Sequence, residues 1–97
     1  MDLKIEHDKK NQRFFVKKND DVSELKYKVL DDNTLDYYTT YVPENLRHQG
    51  IAAQITEEAL QYARDNDYQV VASCPYVKSY IIEHPQYQSL LKKIWSR

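Results

Sequence analysis

Glycine is all but missing from this chain. One glycine, Gly50, stands among 97 residues, several-fold below ordinary usage, and no repeat, low-complexity segment or interdomain linker is found. Cysteine is equally scarce. Cys74 is alone and cannot close an internal disulfide, so nothing staples the fold covalently. No apolar run approaches the roughly 20 residues needed to span a bilayer. The start, Met1-Asp2-Leu3-Lys4-Ile5-Glu6, alternates polar and apolar residues instead of forming the apolar centre of a signal peptide. A surplus of positive charge is also missing: 14 basic residues face 15 acidic ones, for a net charge of −1. That balance argues against a protein built to hold a nucleic-acid backbone, which displaces counterions with a basic excess. Three dispersed histidines and the single cysteine show no metal-ligand spacing. These absences describe one soluble domain over residues 1–97, expected to be cytoplasmic, with neither nucleic acid nor membrane as a partner.

What is present is a hydrophobic share of 41%, enough for one small core in a single domain. The first half alternates with period two, the mark of half-buried strands. Leu3 to His7 reads as a first strand and Phe14-Phe15-Val16 as a second, after a turn at Asn11-Gln12. Val22 to Leu30 reads as a third strand after Asn19-Asp20, and Leu35 to Val42 as a fourth after Asp31-Asp32-Asn33. Four strands joined by short polar turns make an antiparallel meander. The period then changes. From Gly50 to Arg64, Ile51, Ile55, Ala59 and Tyr62/Ala63 recur at three- and four-residue spacing, opposite Gln54, Glu57, Glu58, Gln61 and Arg64, as in an amphipathic helix. Asp65-Asn66-Asp67 ends it. Tyr68 to Cys74 is a nearly unbroken apolar strand, the kind covered on both faces in a β-helix-β crossover. Pro75 opens a second helix, His84-Pro85 breaks it, and Tyr87, Leu90, Leu91 and Ile94 suggest a last short one.

The chain has placed its single glycine between a strand and a long helix, where the missing side chain lets something approach the backbone closely. The first turn of a helix presents unpaired N–H groups and the positive end of its dipole, and Arg47 and His48 add donors beside it. A diphosphate would use all of these together. Arg47-His48-Gln49-Gly50-Ile51-Ala52 also fits the (Gln/Arg)-x-x-Gly-x-(Gly/Ala) motif of the GNAT superfamily of N-acetyltransferases. With Thr40-Tyr41-Val42-Pro43 before it and Cys74-Pro75-Tyr76 and Tyr80 after it, the chain resembles the small single-domain GNAT-like proteins of the YjdJ type over residues 3 to 91.

That resemblance implies a minimal GNAT fold, α+β, with the fifth strand parallel to the fourth and one or two C-terminal helices. It implies acetyl-CoA as the cofactor. Backbone amides of Gln49, Gly50, Ile51 and Ala52, with Arg47 and His48, would hold its pyrophosphate. The edge of the fourth strand at Tyr41-Val42 would pair with the pantetheine arm as an added strand. The thioester would lie in a cleft between Tyr41-Val42 and Ser73-Cys74, where an amine attacks it directly. In this superfamily a tyrosine often protonates the departing thiolate. Tyr80 fits that position in Tyr80-Ile81-Ile82-Glu83-His84-Pro85, although His-Pro replaces the usual Gly-Phe. Cys74 is the other reactive candidate, as acid or acyl acceptor. Both also have plainer readings, Cys74 as a small buried hydrophobe and Tyr80 as core filling. Thr39 stands where small relatives often carry histidine, and the helical and strand elements that shape the acceptor site in larger enzymes are missing. A non-catalytic CoA-binding module is therefore the alternative to an acetyltransferase with an amine acceptor. An open sheet edge allows a monomer or a weak dimer.

Overall fold

The computed structural model describes residues 3–92. Its elements are β1 (Glu6–Asp8), β2 (Arg13–Lys18), β3 (Asp21–Asp31), β4 (Thr34–Tyr41), α1 (Ile51–Asp65), β5 (Gln69–Ala72) and α2 (Pro75–Glu83). Short 3-10 turns fill Glu44–Leu46 and Pro85–Leu90. The five strands form one sheet in chain order. β1 to β4 run antiparallel, and β5 lies parallel to β4 with Leu35 opposite Val70 and Tyr37 opposite Ala72. The α+β meander, long helix and parallel fifth strand expected from the sequence are all there.

Alternation decides which face is buried. Phe14 and Val16 of β2, Leu25 and Tyr27 of β3, Leu35 and Tyr37 of β4 and Val70 of β5 point to one side. There they form a single core with Ile51, Ile55, Ala59, Leu60 and Ala63 of α1 and Val77 and Ile81 of α2. Burying such side chains contributes about 1.5–3 kcal/mol each, before the entropy of ordering them. Tyr37 carries a hydroxyl into this core and donates it to the Ala59 carbonyl at 2.6 Å, which offsets the cost of burying it. The opposite face, with Phe15, Glu24, Lys26, Lys28 and Tyr38, is half-buried or exposed, and no helix among the described residues covers it. The molecule is a two-layer sandwich of helices on a sheet.

Two local devices set the ends of α1. At its C-terminus Asp67 takes φ 60°. The Tyr68 N–H reaches the Ala63 carbonyl at 2.8 Å and the Asp67 N–H reaches Arg64 at 3.3 Å. This is a Schellman closure with aspartate where glycine is usual. At its N-terminus stands Gly50, with φ 79°. In β4 a bulge intervenes: Tyr27 pairs with Tyr37, but Lys26 pairs with Thr39, so Tyr38 is the extra residue and the in-out alternation reverses after it.

Three elements differ from their sequence assignments. Leu3 and Ile5 alternate like a strand, but pairing starts only at Glu6; both pack against the core from outside the sheet. β5 stops at Ala72: the Cys74 N–H makes one further bond, to the Tyr37 carbonyl at 3.0 Å, and Pro75 then turns the chain into α2. The last segment is a 3-10 turn, after which Leu91 bridges to Val70 at the free edge of β5. Ile94 lies outside the described residues.

His7 joins β1 to the helical layer. Its ring stacks on Phe14 at 4.0 Å, meets Tyr62 of α1 edge-on, and its Nε2 lies 2.6 Å from the Tyr27 hydroxyl. Burial, helped by the Lys9 charge and opposed by Asp8, lowers its pKa from 6.5. Burial likewise pushes Tyr27 up to about 12. A histidine whose folded pKa is depressed stabilises nothing by protonation; below pH 6.5 the unfolded chain takes up a proton that the folded chain resists. Urea melts at pH 7.5 and 5.5 should therefore show the parent losing more stability than His7→Gln between the two. Equal losses would remove His7 from the acid response.

Candidate functional site

The site is built where β4 outruns β5. Pairing between them ends at Tyr37 and Ala72, so Tyr38 to Tyr41 continue with no strand beside them on that edge among the described residues. Pro43, the 3-10 turn and the loop Arg47–Gly50 then carry the chain to α1. Arg47 is extended, His48 takes φ 68° and Gly50 takes φ 79°. The first bond of α1 runs from the Gln54 N–H to Gly50 at 3.1 Å. The amides of Ile51, Ala52 and Ala53 precede that bond and lack helical partners. No side chain caps them, and no acidic residue occupies the first turn. A Cβ placed on Gly50 would find nothing within 4 Å. The glycine therefore serves the left-handed backbone and keeps the space in front of the helix clear.

A pocket of about 240 Å³ opens at this point, lined by Val42, Leu46, Arg47, His48, Gly50, Ile51, Ala52, Ala53 and Tyr76. It gathers six of the sequence-assigned cofactor residues. The Arg47 guanidinium donates Nε–H to the Val42 carbonyl at 2.9 Å, tying the strand end to the loop, and makes no ion pair among the described residues. Gln49 faces the other flank of the helix start, where its side chain meets Lys18. Tyr41 is 52% exposed and pairs with Glu24, which puts its side chain on the bare face of the sheet. Cys74 is 4% exposed, just past the end of β5, with its Sγ 3.4 Å from Thr40 Oγ1.

Tyr80 stands apart from that pocket. Its ring stacks on His84 at 3.8 Å, and its hydroxyl donates to Glu57 Oε1 at 2.5 Å. With Glu57, Ala53, Gln54, Glu58, Leu3 and Ile5 it lines a neighbouring, more open hollow of about 370 Å³. Ala53 borders both hollows. The other oxygen of Glu57 accepts from the Tyr87 hydroxyl and from Gln61. Burial pushes the Glu57 carboxyl up, but hydrogen bonds from Tyr80, Tyr87 and Gln61 outweigh it and hold the group below its ordinary value. Burial first, then Glu57, raises the phenol of Tyr80 well above its own. Sequence reading missed Glu57, seen only as part of the polar stripe of α1, and missed Tyr76 as a pocket wall, although Tyr76 and Tyr80 stand one helical turn apart. Among the described residues no group of three His, Cys, Asp or Glu is placed to hold a metal ion, and no helix is long and apolar enough to cross a membrane.

A meander whose fourth strand leads through a glycine-bearing loop into a long crossover helix, with the fifth strand returning parallel to the fourth, defines the acetyltransferase class of fold. The chain belongs to the GCN5-related N-acetyltransferase family, whose profile matches residues 13–90. It is 33% identical to protein NATD1 of Danio rerio over 89 residues, covering 88% of this chain and 81% of that one. To NATD1 of Xenopus tropicalis it is 31% identical over 90 residues, 91% of this chain and 83% of the relative. The NMR structure of a GCN5-like protein from Staphylococcus aureus shares the fold, with a TM-score of 0.73 and 23% identity over 98% of this chain and 93% of that one.

Proposed function

We propose that this protein binds acetyl-CoA across the loop Arg47–Ala52 and transfers its acetyl group to an amine. The observation that carries this reading is the helix start itself. Unpaired amides, a clear space at Gly50, no carboxylate in the first turn and the Arg47 cation suit a diphosphate better than any neutral ligand. The unpaired edge of β4 at Tyr41-Val42, beside this pocket, supports docking of an extended amide-bearing arm in the manner of an added strand. Acetyl-CoA supplies the activated acyl group. In the transfer, the amine nitrogen bonds to the acyl carbon, the carbon–sulfur bond breaks, and the thiolate takes up a proton while the amine gives one up. Two groups of the chain are assigned to the thiolate's proton: the Cys74 thiol, just past the end of β5, and the Tyr80 hydroxyl. Tyr80 would have to leave Glu57 to donate.

That engagement of Tyr80, together with the burial of Cys74, favours a second reading, a module that binds acyl-CoA without turning it over. Titration with acetyl-CoA followed by amide NMR comes first, with shifts expected at Gln49 to Ala52 and near Val42. No shift at millimolar ligand would remove both readings. Release of free CoA in the presence of small amines then separates them. Loss of turnover in Cys74→Ala or in Tyr80→Phe names the acid, full turnover in both clears the two residues, and no turnover in the parent leaves the binding module.

A further inference from the structure

The anion loop is tied to a distant part of the sheet. Lys18 Nζ donates to Gln49 Oε1 at 2.9 Å, Gln49 Nε2 donates to the Asn45 carbonyl at 3.5 Å, and Asn45 Nδ2 donates to Asp21 Oδ2 at 3.0 Å. Lys18 and Asp21 face each other as the last pair of β2 and β3, so the three bonds close a circuit between that hairpin and the loop. The Gln49 amide has one orientation that serves both neighbours, oxygen to the ammonium and nitrogen to the carbonyl. The hairpin end is stiff: Asn19 and Asp20 both have positive φ, 53° and 69°, the two-residue turn whose twist matches the flanking strands. Asn and Asp tolerate that region better than other side chains. Lys18, Gln49, Leu3, Ile51 and Gln54 line a hollow of about 300 Å³ on the opposite flank of the helix start from Arg47 and His48, with Ile51 bordering both sides.

We infer that Lys18 is a positioning residue for the anion loop: through Gln49 it holds the backbone of Gln49–Ala52 in its ligand-receiving arrangement, with the β2–β3 hairpin as the fixed support. The inference rests on reading this loop as a phosphate cradle, and it concerns how the cradle is held. A loop already ordered before the ligand arrives avoids the ordering cost at binding. The tie also explains why Gln49 turns its side chain away from the pocket that its neighbours line.

The test is a double-mutant cycle on acetyl-CoA affinity, combined with amide hydrogen exchange on the ligand-free protein. Lys18→Met should weaken acetyl-CoA by about fivefold, the size expected for one exposed charge-assisted hydrogen bond, and Lys18→Arg should recover most of the loss. Gln49→Ala should cost a similar factor, and the double variant no more than either single one, because the two residues act as one device. In the free protein, amides of Gln49 to Ala52 should exchange several-fold faster in Lys18→Met than in the parent. Unchanged affinity, or losses that multiply, would overturn the inference, since Lys18 would then be idle or act as an independent charge. Should the parent bind no acetyl-CoA, the proposed function fails, and the exchange rates alone decide the tie: faster loop exchange in Lys18→Met upholds it and equal exchange overturns it.

Discussion

Gly50→Glu should abolish acetyl-CoA binding while leaving the protein folded. Nothing lies within 4 Å of the position where a Cβ would stand, so the core does not resist the change. The φ of 79° costs a side chain about 1–2 kcal/mol, a loss a domain of ordinary stability survives. The carboxylate would enter the space in front of the first amides of α1 and present negative charge where phosphate charge is meant to sit. Attraction to the helix start, about 0.3–1 kcal/mol for one exposed charge, would be answered internally by the new side chain, and the diphosphate would meet repulsion as well as a filled space. We expect the dissociation constant to rise by about two orders of magnitude or more, measured by titration calorimetry. Gly50→Asn separates the contributions, since asparagine tolerates the left-handed region and carries no charge; it should bind far better than Gly50→Glu. A folded Gly50→Glu that binds like the parent would mean that the loop is only a strand-to-helix turn.

The second large effect concerns stability. Glu57 of α1 joins its helix to both α2 and the final 3-10 turn, through Tyr80 and Tyr87. Tyr87 is buried and Tyr80 half-buried. Glu57→Ala would leave two hydroxyls inside the protein without their acceptor, at about 1–3 kcal/mol for a buried one. Thermal unfolding followed by circular dichroism should show a drop of about 10 °C, since each kcal/mol moves a domain of this size by about 4–8 °C. Glu57→Gln, which keeps an acceptor oxygen, should lose less. A melting point for Glu57→Ala within a degree or two of the parent would show that the two phenols find other partners. The sign of the pH dependence follows from the lowered pKa of Glu57. Its contribution is present above the ordinary value of 4.5 and is lost as pH falls through the lower folded value.

The long helix, the meander and the glycine-bearing turn between them were legible because each is written in neighbouring residues. Ile51, Ile55 and Ala59 give the helical spacing, and Asn19-Asp20 and Asp31-Asp32-Asn33 mark hairpins. A glycine used once in a chain draws attention to where it is used. The rest of the site is made of contacts between residues far apart in sequence. Glu57 meets Tyr80 and Tyr87 across 23 and 30 residues, and Lys18 meets Gln49 across 31. No local pattern announces such pairs. On periodicity alone Glu57 is indistinguishable from Glu58, its solvated neighbour. Leu3 and Ile5 show the opposite failure, a strand-like pattern with no partner strand to complete it. The side-chain directions at Tyr41 and Val42 depended on the bulge at Tyr38, and a count of alternation from Leu35 carries no sign of an inserted residue.

That inserted residue separates two tasks within one strand. Before Tyr38, Leu35 and Tyr37 answer to the core; after it, Thr40 answers to Cys74 and Val42 to the pocket, in the opposite phase. Substitutions in the second half can retune the pocket without asking anything of the core, and core substitutions in the first half leave the pocket's lining as it was. Drawing the strand into a regular ladder with Tyr38 kept would couple the two again, turning Tyr41 inward and Thr40 out. A one-residue deletion at position 38 therefore removes the bulge and leaves Thr39, Thr40 and Tyr41 opposite Lys26, Leu25 and Glu24, whereas a deletion at position 40 would exchange inner and outer surfaces at the strand's end.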